Sequence, residues 1–394
     1  MGVQVKKGRR DRNVRKRATV YTSSYRGGAS WFVLELAAGM AAAGGDVLLI
    51  SPRADPEERE ALVTGIRRIE LPRGAYGEGS KLVRLSRTLM RILSTFVAYA
   101  RARGHGRSYV ISFYDWLIVL VLQMLWIRLL GGHIVYVVHD ARPHAWASPG
   151  ARRRLESWLL KASYYLPQQL VTLTEVAREQ VINEFGRRGP ISVIPHGAYS
   201  SSEIPSASGK RNLLAFGMLR RNKRILETIE GMRVAVADGA RATLTIAGGP
   251  HKEDVDYWTE CETRLLGTEG YIHTEIEFIP EARLDQLLAK CDALILPYEE
   301  FSSQSGVAVL AACSGRLLVC TEAGGLGELI ANGLEAVVIE RPVTAETVAD
   351  AIRRFDALPI EQVQAKAERS KAALDHYFSW VRIGGEYLKL CRRA

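Results

Sequence analysis

The stretch ATVYTSSYRGGASWFVLELAAGMAAAGGDVLLIS, residues 18–51, decides the fold class. ATVYTSS (18–24) is a short apolar run rich in β-formers and predicts a strand. Gly27-Gly28 predicts a tight turn, ASWFVLELAAGMAAAG (29–44) has helical spacing, and DVLLIS (46–51) predicts a second strand. Strand, glycine turn, helix, strand is a βαβ unit. Such units build a parallel sheet with helices on both faces.

The same alternation continues outward from that unit. YVISFY (109–114), HIVYVVHD (133–140), QLVTLT (169–174) and ISVIP (191–195) read as buried strands with helical patterns between them. After a Ser-rich stretch with Pro and Gly, SSSEIPSASGKR (200–211), a second series begins. Its strands are expected in NLLAFG (212–217), ATLTIAGG (242–249), IEFIP (276–280), ALILPY (293–298), RLLVCT (316–321) and AVVIE (336–340), and the tail from 361 is helical. The organisation expected is a basic flexible arm at 1–17, an N-terminal α/β domain at 18–199 and a C-terminal α/β domain at 200–377. The last stretch, from about 378 to 394, returns to the N-terminal domain.

Composition excludes several classes. Hydrophobic residues make up 47% and charged residues 24% of the 394, which is the balance of a globular chain. The longest apolar run, WLIVLVLQMLWI (116–127), is too short to span a bilayer; it predicts the buried crossover helix of a βαβ unit. KLVRLSRTLMRILSTFVAYARARG (81–104) alternates basic and apolar residues at helical spacing and predicts an amphipathic helix with a basic face. Eight of the 53 basic residues and one of the 43 acidic ones fall in residues 1–17, so that arm carries +7 of the net +10. A basic block of this kind seeks an anionic partner. The five cysteines (Cys261, Cys291, Cys313, Cys320 and Cys391) have no Cys-x-x-Cys spacing, which fits reduced thiols in a cytoplasm rather than disulfides or a zinc site.

Ligands of doubly wound sheets bind beyond the carboxyl ends of the strands, so residues following strand ends are the candidates. That filter selects Gly27 and Gly28, Gly217, Gly248, Pro297 and Tyr298, and Thr321. FGMLRRNKR (216–224) places Arg220, Arg221, Lys223 and Arg224 at a strand-to-helix turn, a set suited to a diphosphate. PYEEFSSQSGVAVLAACSGRLLVCTEAGGLGEL (297–329) offers two further anion-binding turns, one through Gln304, Ser305, Gly306 and Val307, the other through Gly324 and Gly325. His139 and Asp140 end the strand HIVYVVHD, and His144 follows closely.

At these residues the sequence resembles the bacterial family-4 retaining glycosyltransferases, which have the two-domain GT-B fold. Gly27-Gly28, Val138-His139-Asp140, VIPHG at 193–197, the Arg220/Lys223 pair in FG-x-x-R-x-x-K, and PY…SQSGV…A…G…T…GGL…E stand in family order. The last pattern is similar to the branch assembling exopolysaccharide or lipopolysaccharide units. The resemblance implies two Rossmann-like domains facing across a cleft. It implies that Arg220 and Lys223 hold the donor diphosphate, that Ser305, Gly306 and Val307 meet it with backbone groups, and that His139 lies near the reacting sugar with Asp140 and His144 on the acceptor side. Two glutamates eight positions apart are usual around the SQSG turn; Ser303 and Ala311 stand there instead, and Arg224 replaces the usual glycine after the motif lysine.

The expectation is a hexosyltransferase moving sugar from a GDP- or UDP-linked donor to a hydroxyl of a lipid-linked saccharide. The anomeric configuration would be retained, with no metal and no cofactor beyond the co-substrate. The enzyme would work peripherally on the anionic inner face of the cell membrane. A sugar-nucleotide epimerase of the same architecture is the alternative and needs an acid and a base carboxylate. A nucleic-acid-binding protein acting through the arm is the other rival; the near-neutral body has no groove-reading motif. Neither half carries Gly-x-Gly-x-x-Gly after a strand, which disfavours a dinucleotide oxidoreductase.

Overall fold

A computed structural model describes residues 16–54, 57–73, 80–142, 150–198, 209–251, 254–299 and 304–392. In chain order the elements are β1 (Arg17–Thr22), α1 (Gly27–Ala42), β2 (Asp46–Ser51), β3 (Arg67–Glu70), α2 (Lys81–Ala102), β4 (Ser108–Phe113), α3 (Leu117–Leu129), β5 (His133–Val138), α4 (Ala151–Tyr165), β6 (Gln169–Thr172), α5 (Glu175–Phe185) and β7 (Ile191–Val193). They continue as β8 (Asn212–Phe216), α6 (Ile225–Ala237), β9 (Thr243–Ala247), α7 (Val255–Leu265), β10 (Ile272–Glu275), α8 (Glu281–Lys290), β11 (Ala293–Leu296), α9 (Gly306–Cys313) and β12 (Leu317–Cys320). The chain ends with α10 (Gly325–Ala331), β13 (Ala336–Val338), α11 (Ala345–Ala357), α12 (Ile360–Asp375) and α13 (Trp380–Leu390).

Two sheets result. One has the order β3-β2-β1-β4-β5-β6-β7, the other β10-β9-β8-β11-β12-β13. Every register resolved is parallel, as in β1 against β2 (Val20↔Leu49) and β8 against β9 (Leu214↔Thr245). Both orders reverse direction after the first strand of the series, the signature of doubly wound sheets with helices on both faces. By compactness the chain divides into one unit of residues 1–136, 166–169 and 384–394 and another of 137–165 and 170–383.

The first unit includes the chain's final turns. Gly384 of α13 lies against the backbone of α1 so closely that a Cβ there would fall 2.3 Å from the Gly39 carbonyl carbon. The Lys16 ammonium donates to the carbonyl of Leu388 at 2.8 Å, and Arg17 opens β1 with an ion pair to Asp46. These two residues are therefore built into the fold, whereas residues 1–15 of the basic arm lie outside the described residues, as does most of the 200–211 stretch. In the second unit, a core of Leu213, Ile229, Met232, Leu244, Ile352 and Phe355 fills one side of its sheet, and Leu288, Leu294, Leu310, Leu326 and Phe378 fill the other.

Three expectations need correction, and one strand was not expected. Gly27 and Gly28 do not form a separate turn: α1 begins at Gly27, whose φ of +65° suits a residue without a side chain. No strand forms at 276–280. The strand is β10, one step earlier, because edge residues such as His273 and Thr274 face water and only Ile272 is buried, so the apolar signal is weak. The edge strand β3, RRIE, escaped notice for the same reason. Finally, α3 is not buried all round: Val119, Leu120 and Met124 are buried, but Ile118, Leu122, Leu125 and Leu129 are exposed. Among the described residues no helix is long and apolar enough to cross a membrane.

Candidate active site

The four cations of FGMLRRNKR separate into two pairs. β8 ends at Phe216, and Gly217 turns the chain with φ +104°. Its N–H donates to the Ala247 carbonyl at the end of β9, while the Gly248 N–H donates to Glu275 at the end of β10, both at 2.9 Å. Gly248 must be glycine: at φ +141°, a Cβ would sit 2.1 Å from the Gly217 carbonyl oxygen. Beyond this turn the Arg221 guanidinium lies 4.7 Å from the centre of the Tyr257 ring. Arg224 takes up a left-handed φ of +52°, which accounts for glycine being usual there; its guanidinium pairs with Glu227 at 2.8 Å and with Glu299. Both are committed to structure.

Lys223 and Arg220 are not. No carboxylate among the described residues pairs with Lys223; its ammonium donates to the Phe216 carbonyl at 3.4 Å and stands 5.7 Å from the centre of the Tyr298 ring. Space for it exists because residue 217 lacks a side chain: a Cβ there would fall 2.9 Å from Nζ and 3.5 Å from a Val307 methyl. Burial pushes this lysine down to about 8 from its ordinary 10.5, and the neighbouring Arg220 charge adds to the effect. Arg220 lies along the Met218 thioether, 3.2–3.3 Å from Sδ.

The second turn is built around Tyr298, which follows Pro297 at the end of β11. Its ring is buried, and Thr321, just past β12, donates to its carbonyl. Burial raises the Tyr298 phenol above its usual range, so it stays protonated. Ser305 caps α9, its Oγ accepting from the Ala308 N–H at 3.2 Å. Gly306 and Val307 therefore open a helix whose first N–H groups point toward the end of the sheet. Gly324 bends the chain at φ +48° before α10, which Gly325 begins. Ala311 is fully buried inside α9, and Ser303 lies outside the described residues.

The link from this turn to the histidines is Gln304. Its side-chain amide clips the backbone of His196, Oε1 accepting from the N–H at 2.6 Å and Nε2 donating to the carbonyl at 3.1 Å. His196 packs beside Trp380, ring centres 5.6 Å apart, and Gly197 permits this because a Cβ would meet the Trp380 ring at 2.4 Å. His139, following β5, is close enough to His196 and Asp140 to feel both charges. Burial drives its imidazole down to about 3, with His196 pushing the same way and Asp140 opposing. Burial likewise holds His196 at about 4. Both rings are neutral at physiological pH.

Thus the structure brings Gly217, Gly248, Lys223, Tyr298, Val307 and Thr321 into one cluster, and joins it through Gln304 and Ser305 to the histidine pair. Gly27 and Gly28 open α1 in the other unit; His144 lies outside the described residues. Two residues joined to this cluster are not among the sequence-selected candidates. His196 stands in VIPHG, just after β7. Glu328 accepts from the N–H groups of Glu175 and Val176 at 3.1 and 2.9 Å, capping α5; only its place in GGLGEL hinted at a role. Among the described residues no three His, Cys, Asp or Glu side chains gather as a metal ion would require.

With this geometry in view, the comparisons with known proteins are specific. Residues 26–199 match the family described as Glycosyltransferase Family 4, and residues 210–355 match Glycosyl transferases group 1. A Mycobacterium tuberculosis protein named glycogen synthase is 26% identical over 386 residues, covering 90% of this chain and 88% of its own. A Salmonella typhimurium lipopolysaccharide 1,2-N-acetylglucosaminetransferase is 19% identical over 211 residues, covering 50% and 55%. Among solved structures, Anabaena HepE in complex with UDP and glucose superposes with a TM-score of 0.69 at 18% identity, over 95% of this chain and 98% of that one. Two consecutive glycosyltransferase domains, each on its own parallel sheet, make this chain a glycosyltransferase of GT-B architecture.

Proposed function

We propose that the chain transfers a hexose from a nucleoside diphosphate donor to a hydroxyl of a lipid-linked saccharide, with retention at the anomeric carbon and without a metal. The observation that carries the reading is Lys223: a half-buried ammonium with no carboxylate partner among the described residues, beside a glycine turn and the N-terminus of α9. An uncompensated cation costs folding energy unless an anion completes the site. A diphosphate does so, and its negative charge grows as the sugar leaves. Lys223, Arg220 and the N–H groups of Gly306 and Val307 then act by electrostatic stabilisation. The acceptor proton passes to the departing phosphate oxygen, since His139 and His196 are neutral and weakly basic. Their part is to hold the sugar and acceptor by hydrogen bonds.

The UDP held by the Anabaena protein favours uridine over guanosine. For the acceptor, the Salmonella relative supports a role in lipopolysaccharide or a related surface polysaccharide. Residues 1–15, six basic residues against one acidic and so a charge of +5, would draw the enzyme to an anionic inner membrane face. A second acceptor, glycogen, is favoured by the mycobacterial relative. Thermal shift with a panel of nucleotide sugars tests the donor: a ligand at 100 times its dissociation constant adds about 2.7 kcal/mol. If none stabilises the chain, the donor site is wrong. Offering the bound donor with either a lipid-linked saccharide extract or glycogen separates the acceptors.

A further inference from the structure

Helix α2 has two apolar faces, and the fold uses one. Its inner face, with Ile92, Thr95, Ala98 and Tyr99, is buried. On the opposite side Leu82, Leu85, Leu89, Leu93 and Val97 recur at spacings of three and four and form a continuous outward stripe; Leu82 is 79% and Leu93 68% exposed. Residues 81–87 are exposed on every side, so the start of the helix stands out as a ridge.

Helix α3 repeats the pattern. Ile118, Leu122, Leu125 and Leu129 line its outer face, Leu129 being 80% exposed, with Trp116 at the near end. The helices are neighbours: the Trp126 indole donates to the Phe96 carbonyl at 3.0 Å, and the two rings meet edge to face. A groove of about 700 Å³ runs along α2 toward β3, lined by Met90, Leu93, Val97, Ile69 and Pro72. Together these make an apolar surface well beyond the scattered exposed residues of ordinary globular proteins.

The charges around it select the occupant. Neither helix contains an Asp or Glu, while Lys81, Arg84, Arg87 and Arg128 are exposed on them. A second copy of the chain is a poor match, because a two-fold interface sets each patch against itself and would face these cations with cations. An exposed stripe of long aliphatic side chains, on helices that carry exposed Lys and Arg and no carboxylate, instead suits a fluid apolar phase under an anionic surface. We infer that the α2–α3 face docks onto an anionic lipid bilayer, its leucine stripes entering below the headgroups while the cations of the same helices stay in the headgroup layer. The inference rests on reading the chain as a peripheral membrane enzyme and names the contact, which differs from the basic arm in kind. Binding by the arm alone is electrostatic and disappears as salt rises; binding by the stripes does not.

The test is flotation of the full chain with vesicles of phosphatidylcholine alone and of phosphatidylcholine mixed with phosphatidylglycerol, from low salt to about 1 M, where charges are screened within about 3 Å. Binding to mixed vesicles that persists at high salt, and falls at least about ten-fold in the Leu85→Asn/Leu89→Asn chain, supports the inference. Both positions are exposed, so the variant should keep its thermal midpoint; Leu122→Asn provides a second, independent change on α3. Binding that vanishes at high salt, or that the leucine variants leave unchanged, overturns the inference and leaves the arm as the membrane contact. No binding at any salt removes the peripheral membrane reading as well, while donor-induced stabilisation reports separately on the transferase site. A concentration-dependent dimer dispersed by the same substitutions would show that the face is covered by a second copy.

Discussion

Lys223 offers the sharpest prediction because two of its consequences move in opposite directions with pH. Its ammonium is depressed to about 8 in the ligand-free chain. A bound diphosphate should restore it toward the ordinary 10.5. At pH 7 the lysine is charged in both states. At pH 9 about nine-tenths of the free protein carries neutral Lys223, so affinity for a nucleoside diphosphate should fall about ten-fold, with uptake of about 0.9 proton on binding. Between pH 8 and 10.5 the unfolded chain holds more protons at this residue than the native one, so the ligand-free fold should gain stability as pH rises through that window. Replacing the lysine by methionine removes both trends. At pH 7, Lys223→Met should lower turnover about 100-fold or more. It should also raise the stability of the empty protein, by at most about 3 kcal/mol and by less after solvent screening at a half-buried site. Isothermal titration in buffers of different ionisation enthalpy reads affinity and proton uptake together, and denaturant titration reads the fold. Affinity that is level from pH 7 to 9, or the same ten-fold loss in the methionine variant, would refute the assignment of the diphosphate to Lys223.

His139→Ala should impair transfer more than nucleoside diphosphate binding, and the wild-type rate should show no titration assignable to His139 between pH 5 and 8, because burial holds it near 3. Equal losses in binding and turnover would contradict this. Gln304→Ala removes both bonds that clip the His196 backbone and should cost about 1–3 kcal/mol in denaturant unfolding, together with a loss of turnover; an unchanged midpoint would mean the clip is not formed. Gly248→Ala drives a Cβ into the Gly217 carbonyl and should destabilise the chain by at least about 2 kcal/mol and abolish donor binding, measured by thermal shift. A variant of wild-type stability would argue against the close approach of the two strand ends.

Much of this architecture was legible because buried parallel strands announce themselves as unbroken apolar runs. DVLLIS, NLLAFG and ALILPY each fix a strand to within two residues. The edges were not, since RRIE and IHTE present polar side chains to water and lack the run that betrays their inner neighbours. In the site, FGMLRRNKR declared four cations but could not divide them. Which guanidinium stacks on Tyr257 and which meets Glu299 depends on residues 36 and 75 positions further on. Gln304 was chosen as a donor contact from its place in the SQSG turn; its bidentate hold on His196, 108 residues away, is a product of tertiary structure alone. The outward leucines of α2 were visible as helical spacing, yet a period of 3.6 does not say whether a second apolar face will be covered.

The place of the last helix has a consequence for biogenesis. Residues 384–394 complete the unit formed by residues 1–136, with Gly384 against Gly39 and Lys16 reaching the carbonyl of Leu388. The fold of residues 16–136 therefore cannot be completed until residues 384–392 have left the ribosome. At about 5–20 residues per second, synthesis of the intervening chain takes on the order of half a minute. Throughout that interval the α1 surface that receives Gly384, and the turn at Gly45 that receives Leu388, stand uncovered. A nascent chain arrested before residues 384–392 emerge should be far more sensitive to protease in residues 16–136 than the released protein, and holdase chaperones should find their binding site there.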